Sequence, residues 1–265
     1  MTDNEDRRSN DEWRDTLLGI HPELVRMRRI FRHIPSDPRC KMCLSPQGGI
    51  GGPVMSALGY GRYPRNPQLC NSCFRSWQKH PGGAEIEITA LFADIRGSTG
   101  LAETMSASDY SAAVSAYVRT ASRAVREPGG LVDKLLGDGV MALFIPGFVG
   151  DDHAAKAAAA ARQILREVEV PVGIGIHTGP AWVGFVGGVN DVLDFTALGD
   201  AVYVASRLGS EAGPGELLMS VACAVSAQAN APELEHRTID VRGRTDPVEV
   251  VAERVSPAAA PAAPE

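Results

Sequence analysis

Two aspartates lie at the ends of apolar runs in this chain. Asp94 ends the run 90–93 and precedes a short turn of glycine and hydroxyl residues. Asp138 lies between two glycines that are flanked by apolar runs, a pattern that predicts a β-hairpin with Asp138 at its tip. Carboxylate oxygens are the ligands that Mg²⁺ and Mn²⁺ prefer, and a pair of such cations neutralises a polyphosphate. The two aspartates therefore predict a two-metal site for a phosphorylated substrate.

Each of these features also has a purely structural explanation. The backbone N–H groups of Gly97, Ser98 and Thr99 suit phosphate oxygens at a helix start, but Ser98 or Thr99 could equally cap that helix. Asp138 could be a turn residue between glycines. The second carboxylate at a strand end, Asp94, favours metal and phosphate binding over these alternatives.

Arginines in the C-terminal third of the chain provide cations for such a substrate. Tyr203 and Arg207 are four residues apart on a predicted helix and share one of its faces. Arg207 suits the negative charge that develops on a transferring phosphoryl group, and Arg244 follows in a glycine turn. Together with the aspartates, these residues predict a Mg²⁺-dependent nucleotidyl- or phosphoryl-transfer domain. His177, at a predicted strand end, is interpreted as a hydrogen-bonded structural histidine rather than a catalytic one.

Four cysteines form two C-x-x-C pairs separated by 26 residues, Cys40 and Cys43 followed by Cys70 and Cys73. The segment around them is rich in glycine and proline and poor in apolar residues, so it needs a crosslink to fold. Four thiolates suit tetrahedral Zn²⁺, and the same ligands hold an iron–sulfur cluster. Zinc is favoured because nothing in the spacing marks a cluster specifically, and four unrelated thiols are the remaining alternative. No role is assigned to the isolated Cys223.

The composition is typical of a globular, water-soluble protein. The 265 residues are 44% hydrophobic and carry a net charge of −6, which is enough chain for one sizeable core and a smaller module. No apolar run reaches the roughly 18 residues of a membrane span, and the N-terminus lacks an apolar secretory segment. We therefore expect a cytoplasmic protein without a membrane partner. Residues 1–80 are mildly basic but lack a basic helix interleaved with aromatic residues, so nucleic-acid binding is the weaker alternative.

We expect four segments along the chain. They are a disordered start followed by an amphipathic helix (1–33), a cysteine-rich metal-binding module (34–80), a catalytic domain (81–255) and a disordered Ala/Pro tail (256–265). Pro22 either breaks the N-terminal helix or begins a second one. That helix packs on its own chain or on a second copy. In the catalytic domain, strands that alternate with helices predict an α+β sandwich.

Hydrophobic periodicity and turn residues predict the elements of the catalytic domain. The predicted strands are 85–92, 131–136, 140–145, 172–177, 180–186, 194–198, 216–220, 239–242 and 248–251. The predicted helices are 99–126 with a break near Ser106, 151–167 capped by Asp151 and with an alanine-rich core face, 200–208, and 221–228. These boundaries place Asp94 and Asp138 at strand ends and Arg207 on a helix.

Four sequence blocks of the chain occur in the same order in a known family. They are LFADIRGST at 91–99, DKLLGDG at 133–139, GIGIHTG at 173–179 and GDAVYVASRL at 199–208. With these blocks, residues 84–253 resemble the catalytic domain of class III nucleotidyl cyclases, and the cysteine module lies outside the resemblance. The resemblance implies that family's α+β fold, a ferredoxin-like or palm-type sandwich, and makes 81–255 a nucleotidyl cyclase domain.

The resemblance implies conversion of ATP to 3′,5′-cyclic AMP and pyrophosphate. Asp94, Asp138 and the Ile95 carbonyl would hold two Mg²⁺ or Mn²⁺. The backbone of residues 97–99 would contact the phosphates. Because the sites of this family form between two catalytic domains, we expect a homodimer.

Further residues matched by the resemblance select the purine and bind the phosphates from the second copy. Lys134 and Thr196 occupy the purine-selecting positions. A lysine ammonium donates to N1 of adenine, whereas guanine carries an N–H donor on that edge, so ATP is the expected substrate. Arg207 would meet the charge that develops at the α-phosphate, and Arg244 would contact the terminal phosphates.

Tyr203 departs from the family pattern, which has asparagine at this position. Asparagine orients the ribose, and an error of about 1 Å in positioning can cost about 10²-fold in rate. We therefore expect a weak or Mn²⁺-preferring adenylate cyclase that the cysteine module regulates. The alternative is a pseudo-cyclase that binds nucleotide or a partner and reports the state of that module.

Overall fold

The computed structural model describes residues 3–64, 66–79, 81–187, 193–229, 234–244 and 246–256. From residue 257 onward, the predicted disordered tail lies outside the described residues. The helices are α1 (Asp3–Leu17), α2 (Pro22–Phe31), α3 (Gly51–Met55), α4 (Asn71–Lys79), α5 (Ser98–Thr104), α6 (Ala107–Arg126), α7 (Pro146–Val149), α8 (His153–Glu167), α9 (Asp200–Glu211) and α10 (Val221–Ser226), with a π-helical turn at Ser56–Tyr60. The strands are β1 (Arg62–Tyr63), β2 (Asn66–Cys70), β3 (Gly83–Ile95), β4 (Leu131–Leu136), β5 (Gly139–Phe144), β6 (Val172–Gly187), β7 (Leu193–Leu198), β8 (Glu216–Ser220), β9 (Glu235–Ile239) and β10 (Val248–Arg254).

The chain forms two compact units. The first, termed the cysteine unit, comprises Met1–Glu87, Ile145–Gly150 and Ala181–Leu198. The second, termed the carboxylate unit, comprises Ile88–Phe144, Asp151–Pro180 and Gly199–Glu265. The long strands β3 and β6 contribute residues to both units.

A mixed sheet runs through the carboxylate unit, with its strands in the order β4-β5-β3-β6-β8-β10-β9. β6 and β8 are parallel, whereas β4–β5, β5–β3, β8–β10 and β10–β9 are antiparallel pairs. In the β3–β5 ladder Asp94 lies opposite Gly139. The end of β3 and the tip of the β4–β5 hairpin therefore meet at one edge of the sheet. The predicted α+β fold and the predicted hairpin are both confirmed.

Helices α6 and α8 pack against each other and against β5. The buried face of α8 consists mainly of small side chains, namely Ala154, Ala157, Ala158, Ala160 and Ala161. Small residues let two helix backbones approach closely and still fill the space between them. The alanine-rich run is therefore core packing, as the sequence predicted.

In the cysteine unit, β1 and β2 form a short antiparallel pair that leads directly into α4, and β7 pairs with the end of β6. Pro22 occupies the first turn of α2, so it begins a second helix, which was one of the two predicted outcomes. Helix α1 begins at Asp3, and residues 3–10 are helical where the composition predicted disorder. Arg14 in its last turn complements the helix dipole.

The prediction of separate strands at 172–177 and 180–186 is wrong, because β6 is continuous from Val172 to Gly187. Residues 173–176 pair with β8, and residues 182–187 pair with β7. Pro180, which has no N–H to donate, lies between these two ladders. The proline therefore does not interrupt the strand.

Several predicted element ends are shifted in the structure. Asp152, not Asp151, precedes the first residue of α8 as its N-cap. β9 covers Glu235–Ile239, earlier in the chain than predicted, but it pairs with β10 as the predicted closing hairpin. The predicted break near Ser106 is confirmed, because the Ser106 side chain caps α6 by accepting a hydrogen bond from the N–H of Asp109.

Candidate functional site

Asp94 and Asp138 lie at neighbouring strand ends in the carboxylate unit. β3 ends one residue after Asp94, and β5 begins one residue after Asp138. A Cβ atom at Gly139 would lie 3.2 Å from Oδ1 of Asp94, so the glycine leaves room for that carboxylate. Gly137 has a φ of +66°, a left-handed conformation that favours glycine. The two glycines thus shape the hairpin tip around the carboxylates.

Two properties of these carboxylates suit a divalent cation. Oδ2 of Asp138 is buried and has no hydrogen-bond partner among the described residues. The Asp94 side chain is 45% exposed. Burial raises the pKa of Asp94, the cation of Arg96 lowers it and the charge of Asp138 raises it. An unpartnered buried oxygen costs about 1–3 kcal/mol, and a hard cation at this edge would satisfy it. The residues therefore fit Mg²⁺ or Mn²⁺.

Arg96 is a residue of this edge that the sequence reasoning missed. Its guanidinium forms an ion pair with the carboxylate of Asp94, and Nη1 donates to the Ser210 carbonyl at 2.8 Å. These contacts connect the end of β3 to the last turn of α9. The only sequence signal for Arg96 was its place in the LFADIRGST block.

Tyr117, on α6, is the second residue that sequence reasoning missed. Its buried hydroxyl donates to the Ala93 carbonyl at 2.8 Å, directly beside Asp94. Burial raises the pKa of Tyr117, and the charges of Asp94 and Asp138 raise it further. The tyrosine therefore stays protonated and holds the end of β3. Helical periodicity marks it only as a core residue.

The turn after Asp94 leads into α5, and Gly97 is the N-cap of this helix. Its φ of +68° favours glycine, and its carbonyl accepts from the N–H of Leu101 at 3.1 Å. No side chain caps α5, so the alternative in which Ser98 or Thr99 is the N-cap is wrong.

Tyr203 and Arg207 share one face of α9, as predicted. The guanidinium carbon of Arg207 lies 5.0 Å from the centroid of the Tyr203 ring, a cation–π arrangement. The Tyr203 hydroxyl donates to the Arg242 carbonyl, and Arg244 forms an ion pair with Asp200. Helix α9 and the turn after β9 therefore form one connected group.

The structure brings the predicted site residues together only in part. Lys134 lies on β4 opposite Met141, with its ammonium 3.5 Å from the Asp133 carboxylate. Thr196 is buried on β7, opposite Gly184, and belongs to the cysteine unit. The other predicted nucleotide-site residues belong to the carboxylate unit.

His177 and Cys223 have environments typical of structural residues. Nδ1 of His177 lies 2.6 Å from Oγ of Ser220, and burial lowers the pKa of the imidazole. The Cys223 thiol is fully buried, and burial raises its pKa to about 11. The Cys223 thiol is therefore closed to solvent, and the partly buried His177 is held by its hydrogen bond to Ser220.

The four predicted metal-binding cysteines converge in the cysteine unit. The sulfur atoms of Cys40, Cys43, Cys70 and Cys73 all lie within 4.8 Å of one another, and all four side chains are buried. The backbone N–H of Cys70 donates to Sγ of Cys40 at 3.3 Å, and that of Cys73 donates to Sγ of Cys70 at 3.4 Å. Such hydrogen bonds stabilise thiolates. The donor set fits a four-thiolate metal site.

Arg28 places a cation next to this cluster. Nε donates to the Met42 carbonyl at 2.7 Å, and Nη2 donates to the Gly147 carbonyl at 2.6 Å. Burial lowers the pKa of Arg28, whereas the negative charges of Cys40 and its neighbours raise it. A partly buried cation beside four thiolates would offset part of their excess negative charge.

Residues 83–252 match the family described as the adenylate and guanylate cyclase catalytic domain. The chain belongs to this family. The matched segment contains Asp94, Asp138 and α9, whereas the four cysteines precede it.

Individual relatives of this chain include enzymes named for either purine. An adenylate cyclase of Anabaena cylindrica is 37% identical over 135 residues, which are 46% of this chain and 26% of the relative. The adenylyl cyclase CyaB from P. aeruginosa has a TM-score of 0.58 at 27% identity, covering 64% of this chain and 95% of that structure. The guanylyl cyclase Cya2 has a TM-score of 0.59 at 26% identity, covering 68% and 97%. This chain thus matches about a quarter of the Anabaena protein.

Among the helices of the described residues, none combines the length and the apolar character needed to cross a bilayer.

Proposed function

We propose that the chain is an adenylate cyclase that converts ATP to 3′,5′-cyclic AMP and pyrophosphate. The observation that carries this proposal is the pair Asp94 and Asp138, in which a buried carboxylate oxygen lacks a hydrogen-bond partner among the described residues. Membership of the cyclase family and the adenylate cyclases among the relatives support it.

Asp94, Asp138 and the Ile95 carbonyl would hold two Mg²⁺ or Mn²⁺. When bound, these ions lower the pKa of the ribose 3′-hydroxyl and neutralise the triphosphate. The backbone of residues 97–99 contacts the phosphates, and Tyr117 keeps Asp94 in place through the Ala93 carbonyl.

Lys134 and Thr196 would choose the purine. The Lys134 ammonium donates to N1 of adenine, which is an acceptor, and cannot accept from the N–H at the same position of guanine. The Thr196 hydroxyl can donate a hydrogen bond to the purine or accept one from it. This chemistry supports ATP over GTP.

Arg207 and Arg244 would act on the phosphates bound by a second copy. The exposed Arg207 guanidinium donates to oxygens of the α-phosphate as charge develops there. Tyr203 stacks under this guanidinium and limits its rotamers. We therefore propose a homodimer in which each copy completes the other's site.

A second candidate function is a nucleotide-binding pseudo-cyclase. Two contacts favour it: the Tyr203 hydroxyl is engaged by the Arg242 carbonyl, and Arg96 already neutralises Asp94. A tyrosine held in this way does not orient a ribose as asparagine would. These contacts also support weak or Mn²⁺-preferring catalysis in the first proposal.

The four cysteines of the cysteine unit would bind a metal that stabilises the fold. We propose Zn²⁺ at the four thiolates, with an iron–sulfur cluster as the alternative. The segment boundaries that we propose are 34–80 for this module, 81–255 for the cyclase domain, 1–33 for the N-terminal helices and 256–265 for the tail. Metal analysis and an absorption spectrum of anaerobically purified protein test this centre. A protein that contains no stoichiometric zinc and no stoichiometric iron would contradict both proposed metals.

The decisive assay measures cyclic AMP and cyclic GMP from ATP and GTP, in Mg²⁺ and in Mn²⁺. We expect cyclic AMP, more in Mn²⁺ than in Mg²⁺, and its loss in Asp94→Ala. Asp151→Ala is the matched control, because Asp151 is an exposed aspartate of the same unit. ATP binding without product would favour the pseudo-cyclase, and product formation by Asp94→Ala would contradict the proposed site.

A further inference from the structure

An aromatic cluster in the cysteine unit has no role in the proposed chemistry. Its members are Trp13, Tyr63, Phe74, Trp77, Phe185 and Phe195. Phe74 and Trp77 precede the segment that matches the cyclase family, whereas Phe185 and Phe195 lie inside it. The cluster therefore joins the cysteine module to a hairpin of the cyclase domain.

Helix α4 contains both a predicted metal ligand and an aromatic anchor. Cys70 ends β2 immediately before α4, and Cys73 and Trp77 are four residues apart within it. Residues at this spacing lie on the same helix face, and both side chains are buried. A metal that fixes Cys70 and Cys73 would therefore also fix the position of Trp77.

Trp77 packs on the β6–β7 hairpin. Its ring is stacked on Phe195, with centroids 5.0 Å apart and an interplanar angle of 22°. It also meets the edge of Phe185 at 6.0 Å. Phe185 and Phe195 are cross-strand partners in the β6–β7 ladder, so one indole contacts both strands at the same rung.

Thr196 is the next residue of β7 after Phe195. Side chains alternate between the two faces of a strand, so Thr196 points away from the face that Trp77 covers. Thr196 is only 5% exposed, and its backbone lies opposite Gly184. A displacement of Phe195 therefore moves Thr196 with it.

We propose that Trp77 is a positioning residue through which the metal state of the cysteine centre sets Thr196, and with it purine affinity and preference. This inference rests on the proposed role of Thr196 as a purine contact. Without metal, α4 loses its anchor at Cys70 and Cys73. The hairpin then loses a fixed stacking partner, and the conformation that binds ATP becomes less populated.

The test uses the full-length chain loaded with Zn²⁺, and the same chain after chelation, desalting and addition of Mg²⁺. The readouts are the Kd values of non-hydrolysable ATP and GTP analogues, together with tryptophan emission. All three tryptophans of the chain, Trp13, Trp77 and Trp182, belong to the cysteine unit. Their emission therefore reports on that unit without any turnover.

We expect zinc removal to shift the emission and to weaken binding of the ATP analogue by about 5- to 150-fold, the range of typical coupling between sites. Binding of the GTP analogue should change less. Trp77→Ala should weaken ATP binding equally while it retains zinc, and Trp77→Phe should restore most of the affinity. Phe31→Leu is the matched control, because the Phe31 ring contacts Tyr60 in the same unit but outside the aromatic cluster, and this variant should bind like the wild type.

Unchanged analogue affinities in zinc-loaded Trp77→Ala with a native circular dichroism spectrum would overturn the inference. If Trp77→Ala does not fold, Phe195→Leu, which keeps apolar volume but removes the stacked ring, replaces it with the same two outcomes. Analogue Kd values that are the same with and without zinc would overturn this inference but not the proposed function. Zinc-sensitive binding without cyclic AMP formation overturns only the cyclase proposal, and a chain that binds neither analogue overturns both.

Discussion

The two candidate metal sites of this chain differ in how they are built. The first site, formed by Asp94 and Asp138, lies at strand ends. Its Asp94 side chain is half-exposed, and Oδ2 of Asp138 is buried without a hydrogen-bond partner among the described residues. The cysteine centre consists of four buried sulfurs that already converge within 4.8 Å. Structural metal sites are closed by protein ligands, whereas catalytic sites keep open positions for substrate. We therefore expect the carboxylates to serve the chemistry and the cysteines to stabilise the fold.

The most severe test of this comparison removes one carboxylate. Asp138→Asn keeps the size of the side chain but loses its charge, so we expect turnover to fall by about 10³-fold. Melting temperature should not fall, because the substitution removes a negative charge that lies beside Asp94 and opposes its ionisation. Cyclic AMP quantified by chromatography and a thermal melt check both outcomes. Asp151→Asn is the control, and a large loss of stability in Asp138→Asn would contradict the open site.

Removal of one sulfur from the cysteine centre should have the opposite effect, because we expect it to lower stability. We expect Cys43→Ser to lose the metal and to lower the melting temperature by more than about 5 °C, because metal binding contributes directly to folding. Zinc content and a thermal melt measure this. Cys223→Ala removes a buried thiol outside the cluster and should keep the metal. A Cys43→Ser variant that melts like the wild type would show that the centre is not structural.

Tyr203 allows a finer test of the carboxylate unit. Tyr203→Asn restores the family residue, and we expect turnover with Mn-ATP to rise by up to about tenfold, because ribose positioning improves. Tyr203→Phe keeps the ring under Arg207 but loses the bond to the Arg242 carbonyl, so it should not raise turnover. An unchanged or lower rate in Tyr203→Asn would refute this explanation of weak activity.

Tyr117 should contribute to stability rather than to chemistry. Tyr117→Phe leaves the buried Ala93 carbonyl without this donor, which should reduce the free energy of unfolding by about 1–2 kcal/mol. Urea denaturation measures the change. Tyr110→Phe, on the same helix, is the control. A tenfold fall in turnover with unchanged stability would instead assign Tyr117 to the chemistry.

The smallest expected effect concerns pH. Burial lowers the pKa of His177 in the folded protein, whereas an unfolded chain has a histidine pKa of about 6.5. As the pH falls, the unfolded state takes up this proton first, so the stability is complete above about pH 6.5 and decreases below it. Melting temperatures at pH 7.5 and 5.5 should differ less in His177→Gln than in the wild type. If the melting temperatures of His177→Gln and of the wild type differ equally between the two pH values, His177 is not the group responsible for the pH dependence.

Local patterns in the sequence determined much of the site. Asp138 between two glycines predicts a hairpin tip, and Gly137 there adopts a left-handed backbone conformation that few other residues adopt. Tyr203 and Arg207 share a face because helical geometry requires it. The four cyclase blocks and the paired cysteines depend on short spacing in the same way. For these features, neighbours in sequence are neighbours in space.

The tertiary structure alone decided which distant groups meet. Tyr203 bonds to the carbonyl of a residue 39 positions later, and Trp77 stacks on Phe195, which no periodicity indicates. The continuity of β6 through Pro180 depends on which strands pair on either side of it. Such contacts depend on how sheets and helices pack. Packing brings together residues that are far apart in the chain, and the sequence around one of them does not indicate the other.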